Sequence, residues 1–222
     1  MRNFAWCVWL GLSIGIAAQT SDPPARKTGS GRPVVIATAT LAGFDALPAD
    51  RRKLIEVALR VARDFSWLPY TPSGSEPSHG GFDCSGAMYY VMHKAGLVPP
   101  RTAADQFQWL KTNGRLHEVP AEALGLTDPS LKNLHPGDLL FWGTHASTDP
   151  AAMITITHVA MYLGTEKIDG RPVMINSSAG RSYRTNKADG YGVYDFHLQQ
   201  AGAIVALRGY GTPPGVAKMP DD

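Results

Sequence analysis

Residues 80–86 read GGFDCSG, a glycine-rich turn followed by the start of a predicted helix at Cys84. Apolar side chains recur along residues 88–92, and Gly96 supplies a stop signal for that helix. A cysteine in the first turn of a helix meets unpaired backbone amides and the positive end of the helix dipole. Both lower the pKa of a thiol, and the thiolate is the nucleophilic form. The stretch therefore predicts a reactive Cys84, beside which Gly86 keeps the turn uncrowded for an acyl intermediate.

Predicted helices precede predicted strands in the rest of the chain. One apolar stripe predicts a helix within residues 48–67, and a second helix is expected over 102–112. Residues 69–81 are rich in Pro, Gly and Ser, which predicts a surface loop. Runs rich in β-branched, aromatic or aliphatic residues then predict strands at 139–142, 154–163, 173–176 and 203–208. This order favours an α+β domain in which N-terminal helices pack on a central antiparallel β-sheet.

Residues 1–18 have the charge order of a secretory signal peptide. Arg2 precedes an apolar run that is shorter than the about 20 residues a membrane span needs, although a membrane anchor is the alternative. Ser, Pro, Gly and charged residues at 19–32 predict a flexible leader. We expect a single domain at 33–210 and a loose tail at 211–222. Export to the periplasm or out of the cell follows, without stable membrane insertion once the signal is removed.

Charge and cysteine content narrow the possible partners. The net charge is only +2 and the basic residues are scattered, which argues against a nucleic-acid partner. Of the two cysteines, Cys7 lies in the apolar run, so Cys84 would be the single thiol of the exported chain. Such a thiol is either an inert buried side chain or a reactive one, and export favours the second. No Cys-x-x-Cys or His-x-x-x-His spacing occurs, so we expect no metal site and no cofactor.

His158 is the predicted base among the seven histidines of the chain. It stands inside the strand predicted at 154–163, which would hold the ring rigid and direct it toward a helix packed on the sheet. The other six histidines lie in predicted loops or on helix surfaces. An ordinary hydrogen-bonded core histidine is the alternative for His158.

Three blocks of the chain together resemble the signature blocks of the NlpC/p60 cell-wall cysteine peptidases, a papain-like family. They are FDCSG at 82–86, LHPGDLLF at 134–141 and HVAMYLG at 158–164, in the family's order and spacing. The resemblance covers about residues 54–208. It implies a papain-like NlpC-type fold, with Cys84 as nucleophile and His158 as base.

The resemblance also implies further site residues. Asn176, in VMINSSAG at 173–180, would be the third polar residue that orients the imidazole, although a structural asparagine is the alternative. Its side-chain oxygen can accept from one ring nitrogen and leave the other for the thiol. Tyr70 would line the site. Asp83 and Ser85 would help to hold a free amine of the substrate, while Asp83 could equally be a plain helix cap.

Two segments depart from the family pattern. Residues 71–79 are an insertion that would reshape one wall of the groove. Residues 143–157 form a longer link than usual, with His145, Asp149 and Pro150 close to the catalytic strand. Both leave the substrate preference open.

The function implied by the resemblance is that of an exported cysteine peptidase. It would hydrolyse amide bonds in peptidoglycan stem peptides or muropeptides, and specifically the bond between D-glutamate and the diamino acid, without a cofactor. The alternatives are an amidase or acyltransferase of the same fold with a non-wall substrate, and a catalytically silent wall-binding module. The sequence leaves open the exact bond, the need for a free amino terminus and the oligomeric state.

Overall fold

The structure, a computed structural model, describes residues 31–144 and 155–220. The predicted signal peptide at 1–18 and the leader up to residue 30 lie outside the described residues. So does most of the long link at 143–157, including His145, Asp149 and Pro150. In the described part of the chain, no helix combines the length and apolar character needed to span a membrane.

The described residues contain three α-helices at the positions that the sequence predicts. They are α1, Ala49–Asp64, α2, Cys84–Ala95, and α3, Ala103–Thr112. Thr102 caps α3 by accepting a hydrogen bond from the amide of Asp105. Gly96 ends α2 in a left-handed conformation that favours glycine. The helix predictions are therefore confirmed, and α1 buries its apolar stripe against the sheet.

Eight β-strands are found in the described residues. They are β1, Ser75–Glu76, β2, Gly81–Phe82, β3, Leu116–Glu118, β4, Leu139–Thr144, β5, Ile156–Thr165, β6, Pro172–Tyr183, β7, Asn186–Asp195, and β8, Val205–Gly211. β1 and β2 form a small hairpin inside the loop predicted at 69–81. The other six form an antiparallel sheet in the order β3-β8-β4-β5-β6-β7. The predicted α+β arrangement of helices on an antiparallel sheet is confirmed.

Strand β7 is absent from the sequence prediction because its residues, NKADGYGVYD, look like a loop. It nevertheless pairs with β6 from Asn186 to Asp195. A side chain at Gly190 would collide with the carbonyl oxygen of Leu68, and one at Gly192 would collide with Pro33. Glycine is therefore required at both positions because other segments of the chain pack closely on β7.

The segment around the boundary between the predicted leader and the predicted domain pairs with the outer side of β7. Gly31 forms a bridge with Ala188, and Val34 forms one with Val193. Among the described residues, Gly31 makes this contact although it precedes the domain boundary predicted at residue 33. Covering an edge strand in this way blocks its pairing with other chains.

The two faces of the sheet belong to separate core clusters. Val159 and Ile175 lie in the cluster that includes the helices. Trp142, Ala160 and Met174 lie in the cluster on the opposite face. Side chains alternate between faces along a strand, so His158 and Asn176 lie on the same face as Ala160 and Met174.

The C-terminal segment is packed against the domain, which corrects the loose tail expected at 211–222. Val216 is buried. Arg51 of α1 is fully buried, donates through Nε to the carbonyl of Ala217 and pairs with Asp138 at 3.0 Å. A buried guanidinium requires several acceptors, and the tail supplies one of them.

Candidate active site

Cys84 begins α2 and is 7% exposed. The carboxylate of Asp83 caps the helix by accepting a 2.6 Å hydrogen bond from the amide of Gly86. A side chain at Gly86 would collide with the carbonyl oxygen of Gly74, which belongs to the insertion at 71–79. The packing of that insertion explains why residue 86 is a glycine. The expected role of Gly86 in leaving room for an acyl intermediate stays a prediction.

The sulfur lies where strands β5 and β6 separate. Their ladder pairs Thr165 with Pro172 at one end and Met161 with Ile175 at the other. Past Ile175, β6 continues in its ladder with β7. We call the opening between β5 and β6 beyond the Met161–Ile175 pair the fork.

A β-bulge on β5 supplies the backbone groups that face the sulfur. Trp142 pairs with His158 and Gly143 with Ile156, so Thr157 is the extra residue of the bulge. The Cys84 sulfur lies 3.9 Å from the carbonyl oxygen of Thr157. Interaction with the backbone amide of Val159 lowers the pKa of the thiol. The thiol therefore contacts the backbone on both sides of His158.

His158 and Asn176 meet on the sheet face opposite the helices. Nδ2 of Asn176 lies 2.6 Å from Nε2 of His158. The ring of Trp142, directly across from His158 on β4, has its centroid 5.6 Å from the imidazole centroid. Asn176 is fully buried, and its Oδ1 has no hydrogen-bond partner among the described residues.

The orientation of the Asn176 amide decides which ring nitrogen is free. With Nδ2 toward the ring, Nε2 must accept, and the proton sits on Nδ1. A half-turn of the amide brings Oδ1 to Nε2, where it accepts from an N–H and leaves Nδ1 as an acceptor. Only the second state provides a base for the thiol.

The structure brings Cys84 and His158 to the same point of β5 from opposite sides of the sheet. In the described residues no hydrogen bond joins the sulfur to the imidazole, because the thiol donates to Thr157 and Asn176 occupies Nε2. The fork lies between them. This corrects the prediction that the strand directs the His158 ring toward a helix packed on the sheet, because the ring lies beside Trp142 on the opposite face.

Burial sets the protonation states of the two groups. Burial raises the pKa of the Cys84 thiol, and the charge of Asp83 raises it further. The backbone amides of Val159, Ser85 and Cys84 itself lower this pKa, but they do not outweigh the effect of burial. This reverses the lowering expected from the helix start alone. Burial and the charge of Arg181 lower the pKa of His158 to about 3. The resting site therefore holds a neutral thiol and a neutral imidazole at pH 7.

Tyr70 lies close enough to the thiol to interact with its charge. Burial raises the pKa of Tyr70, and negative charge on Cys84 and Asp83 raises it further. The phenol consequently stays protonated and available as a donor. The backbone amide of the next residue, Thr71, donates to the carbonyl of Phe82. This hydrogen bond holds the segment that carries Tyr70 beside α2.

Asp83 and Ser85 are both held by Arg101. Nη2 of Arg101 lies 2.7 Å from one carboxylate oxygen of Asp83, and Nη1 lies 3.0 Å from the hydroxyl of Ser85. Arg101 also donates to the carbonyl of Ser73 in the insertion. The helix-cap interpretation of Asp83 is thus seen directly, and amine binding by Asp83 and Ser85 stays a prediction.

Sequence reasoning missed Arg101, Trp142 and Arg181. The guanidinium carbon of Arg181 lies 4.7 Å from the centroid of the Trp142 ring. Trp142 follows the LHPGDLLF block directly, so alternation along the strand was a usable signal. Arg181 offered none, because a register shift between Ala179 and Arg181 changes the face to which it points.

The part of the chain that the structure describes contains no group of three or more His, Cys, Asp or Glu side chains arranged to hold a metal ion.

Comparisons with known proteins agree on one family. The sequence profile described as the NlpC/P60 family matches residues 67–199. The chain is similar to the peptidoglycan endopeptidase RipB of Mycobacterium tuberculosis, with 29% identity over 184 residues, or 78% of this chain. It is also similar to the bifunctional muramidase/DL-endopeptidase CwlT of Bacillus subtilis, with 33% identity over 151 residues, or 67% of this chain.

A solved structure of the peptidoglycan hydrolase RipB from Mycobacterium tuberculosis matches with 27% sequence identity and a TM-score of 0.39. That match covers 75% of this chain and 70% of the other. The curated relatives are longer, since the chain spans 58% of RipB and 36% of CwlT. The profile match at 67–199 includes every predicted site residue from Tyr70 to Asn176.

Proposed function

The chain belongs to the NlpC/P60 family, and from this we propose that it is a cysteine peptidase that hydrolyses amide bonds in peptidoglycan stem peptides. Cys84 is the nucleophile, His158 the base and Asn176 the residue that orients the imidazole. The observation that carries the proposal is the 2.6 Å contact of Asn176 with His158, on the strand whose Thr157 carbonyl oxygen lies 3.9 Å from the Cys84 sulfur. A buried asparagine held on one imidazole nitrogen leaves the other nitrogen for chemistry.

The first step is proton transfer from the thiol to the imidazole. For this transfer the S–H leaves the Thr157 carbonyl, to which it donates in the structure, and turns to Nδ1 of His158. The orientation of Asn176 with Oδ1 at Nε2 is the one in which Nδ1 can accept that proton. Because both groups rest in neutral form, the proton moves as the sulfur attacks, in general-base fashion.

Attack on the amide carbonyl forms a C–S bond and a tetrahedral oxyanion. The amides at the start of α2, including that of Cys84, stabilise this charge. The protonated phenol of Tyr70 is a further donor, since burial and the nearby charges keep it in the acid form. His158 then protonates the leaving amine. Water activated by the same ring breaks the C–S bond and releases the acid.

The bond cut is that between D-glutamate and the diamino acid of the stem peptide. Support comes from a relative whose name specifies this bond, the gamma-D-glutamyl-L-lysine dipeptidyl-peptidase of Bacillus subtilis. The name of CwlT, a DL-endopeptidase, is consistent with it. Asp83 and Ser85 help to hold a free substrate amine. Oδ1 of Asp83 accepts from Ser85, Gly86 and Nη1 of Arg101, and Oδ2 accepts only from Nη2 of Arg101 among the described residues, so such an amine would bind at Oδ2 beside Arg101. Digestion of stem peptides with free and acetylated amino termini tests this.

The enzyme acts outside the inner membrane after removal of residues 1–18. The support is the charge order of that segment and the location of peptidoglycan itself. Mass spectrometry of the mature protein from fractionated cells tests the proposal. A protein retained in the cytoplasm with Met1 intact would contradict it.

The decisive experiment compares wild type with Cys84→Ala on purified muropeptides, with products identified by mass spectrometry. We expect hydrolysis at the D-glutamyl amide by wild type and none by the variant. Cleavage retained by Cys84→Ala would exclude Cys84 as nucleophile. Products that contain a transferred acyl group, or no reaction on wall fragments, would favour another acyl-transfer activity of the same site.

A further inference from the structure

Arg181 lies on the same face of the sheet as His158 and Asn176. Its guanidinium carbon is 4.7 Å from the centroid of the Trp142 ring, and that ring is 5.6 Å from the imidazole. The Trp142 ring therefore contacts both the Arg181 cation and the His158 imidazole. Arg181 also interacts electrostatically with both His158 and Cys84.

Arg181 has no anionic partner among the described residues. Four other arginines, Arg51, Arg101, Arg171 and Arg184, are paired with carboxylates. The buried Arg208 instead donates to the carbonyl of Thr144, whereas no hydrogen bond of the Arg181 guanidinium is found among the described residues. Arg181 is only partly exposed, and burial lowers its pKa. A partly buried guanidinium without a counter-ion is unfavourable on its own, and an anion that enters the site removes that cost.

The stacked geometry suits a carboxylate. A guanidinium that lies over an aromatic ring uses its face for the ring and keeps its N–H groups for acceptors in its own plane. Two of these N–H groups match the two oxygens of a carboxylate. The acceptor would lie next to the fork, and hence next to the scissile bond.

We propose that Arg181 binds the free α-carboxylate of a γ-linked glutamyl residue on the acyl side of the scissile amide. The inference rests on the proposed function and deepens it. In a γ-linked residue the α-carboxylate remains free close to the reacting carbonyl. In an ordinary α-linked peptide no anion occurs at that place. Arg181 is thus the residue that distinguishes γ-glutamyl amides from ordinary peptide bonds.

The test uses two stem peptides that differ in one group. One has the free α-carboxylate on its γ-linked D-glutamyl residue, and the other has a primary amide there. Wild type is expected to favour the carboxylate peptide by about 10- to 100-fold in kcat/KM, the range for a hydrogen bond to a charged group. Arg181→Met should lose this preference because only the carboxylate peptide becomes slower, mainly through KM. Arg181→Lys should keep part of it.

The outcomes separate this inference from the proposed function. Equal cleavage of both peptides by wild type would overturn the role of Arg181 and leave the peptidase proposal intact. A preference retained by Arg181→Met would do the same. If wild type cuts neither peptide, the proposed function fails and the role of Arg181 fails with it. Arg63→Met, which removes an exposed cation at the end of α1, is the matched control and should keep the wild-type preference.

Discussion

The side-chain amide of Asn176 lies 2.6 Å from Nε2 of His158, although the two residues belong to strands whose ladder has already ended. The amide bridges the fork between β5 and β6. The same fork admits the Cys84 sulfur from the helix side, where it contacts Thr157. The separation of two neighbouring strands therefore lets side chains from opposite faces of one sheet share a site.

Asn176→Ala is expected to lower kcat by about 10- to 100-fold, because a hydrogen bond to a group that becomes charged is lost. KM should change little, since Asn176 contacts the imidazole and not the substrate. Asn176→His, which restores a ring partner, should recover much of the rate. Steady-state kinetics on a stem peptide measure both effects.

The control for Asn176 is Ser182→Ala, farther along the same strand, together with thermal unfolding of each variant. An Asn176→Ala enzyme with wild-type kcat would remove Asn176 from the mechanism. A loss of rate that parallels a loss of folded protein would indicate a purely structural role.

The acid limb of kcat/KM should lie well below the ordinary histidine range. Burial and the charge of Arg181 lower the pKa of His158 from 6.5 to about 3. In the proposed mechanism the neutral ring is the base, so activity is expected to be lost only as the pH falls toward that lower value. Removal of the cation in Arg181→Met raises the pKa of His158 and should move the limb to higher pH.

A pH–rate profile from acid to neutral pH checks this prediction. Arg63→Met, which changes an exposed cation, should leave the limb in place. An acid limb of the wild-type profile close to pH 6.5 would show that the pKa of His158 is not lowered in the free enzyme. A limb that stays unchanged in Arg181→Met would exclude Arg181 as a cause.

The helices and the position of Cys84 could be predicted because they follow from local periodicity and turn chemistry. Strand β7 could not, since Gly190 and Gly192 are set by contacts with distant segments near Leu68 and Pro33. The predicted lowering of the Cys84 pKa is wrong for a related reason. A helix start can be inferred from sequence, whereas the burial of Cys84 depends on the whole fold.

The same contrast between local sequence and distant contacts applies to the residues of the candidate site. Cys84, His158 and Asn176 were found through motif blocks that surround each of them. Arg101 and Arg181 act through contacts between elements distant in the chain, and their neighbouring residues have no comparable pattern. The geometry of the fork itself depends on a bulge at Thr157, which residue types alone do not reveal.

Asp83→Ala should lower the free energy of unfolding by about 1–3 kcal/mol, because it removes a helix cap and leaves Arg101 without its carboxylate. Asp83 and Arg101 are both partly shielded from solvent, at 16% and 32% side-chain exposure. Activity should fall as well, since α2 positions Cys84. Urea denaturation with an unchanged m-value measures the stability effect.

The matched control for this ion pair is Lys111→Ala. Lys111 pairs with Glu118 at 2.9 Å, but both side chains are more than half exposed. Such surface pairs contribute little, so this variant should be close to wild type. If Asp83→Ala were equally harmless, the link between Asp83 and Arg101 would not hold the start of α2.

Gly86→Ala separates two explanations of the glycine after the nucleophile. A side chain there would collide with the carbonyl oxygen of Gly74, a backbone atom that cannot move without shifting the insertion at 71–79. We therefore expect a loss of about 2–4 kcal/mol in the free energy of unfolding, together with a loss of activity. Gly125→Ala is the control, because the added carbon would meet only Thr127 Oγ1 at 3.8 Å.

The alternative is that Gly86 leaves room for an acyl intermediate, which would affect catalysis without affecting folding. A Gly86→Ala protein with wild-type stability and a reduced kcat would support that role and contradict the packing explanation. Denaturation and single-turnover kinetics on the same preparation distinguish the two. Because the Gly74 carbonyl already accepts from the amide of Asp83, displacement of the insertion would also disturb the helix cap. The structure therefore predicts that stability and acylation rate fall together.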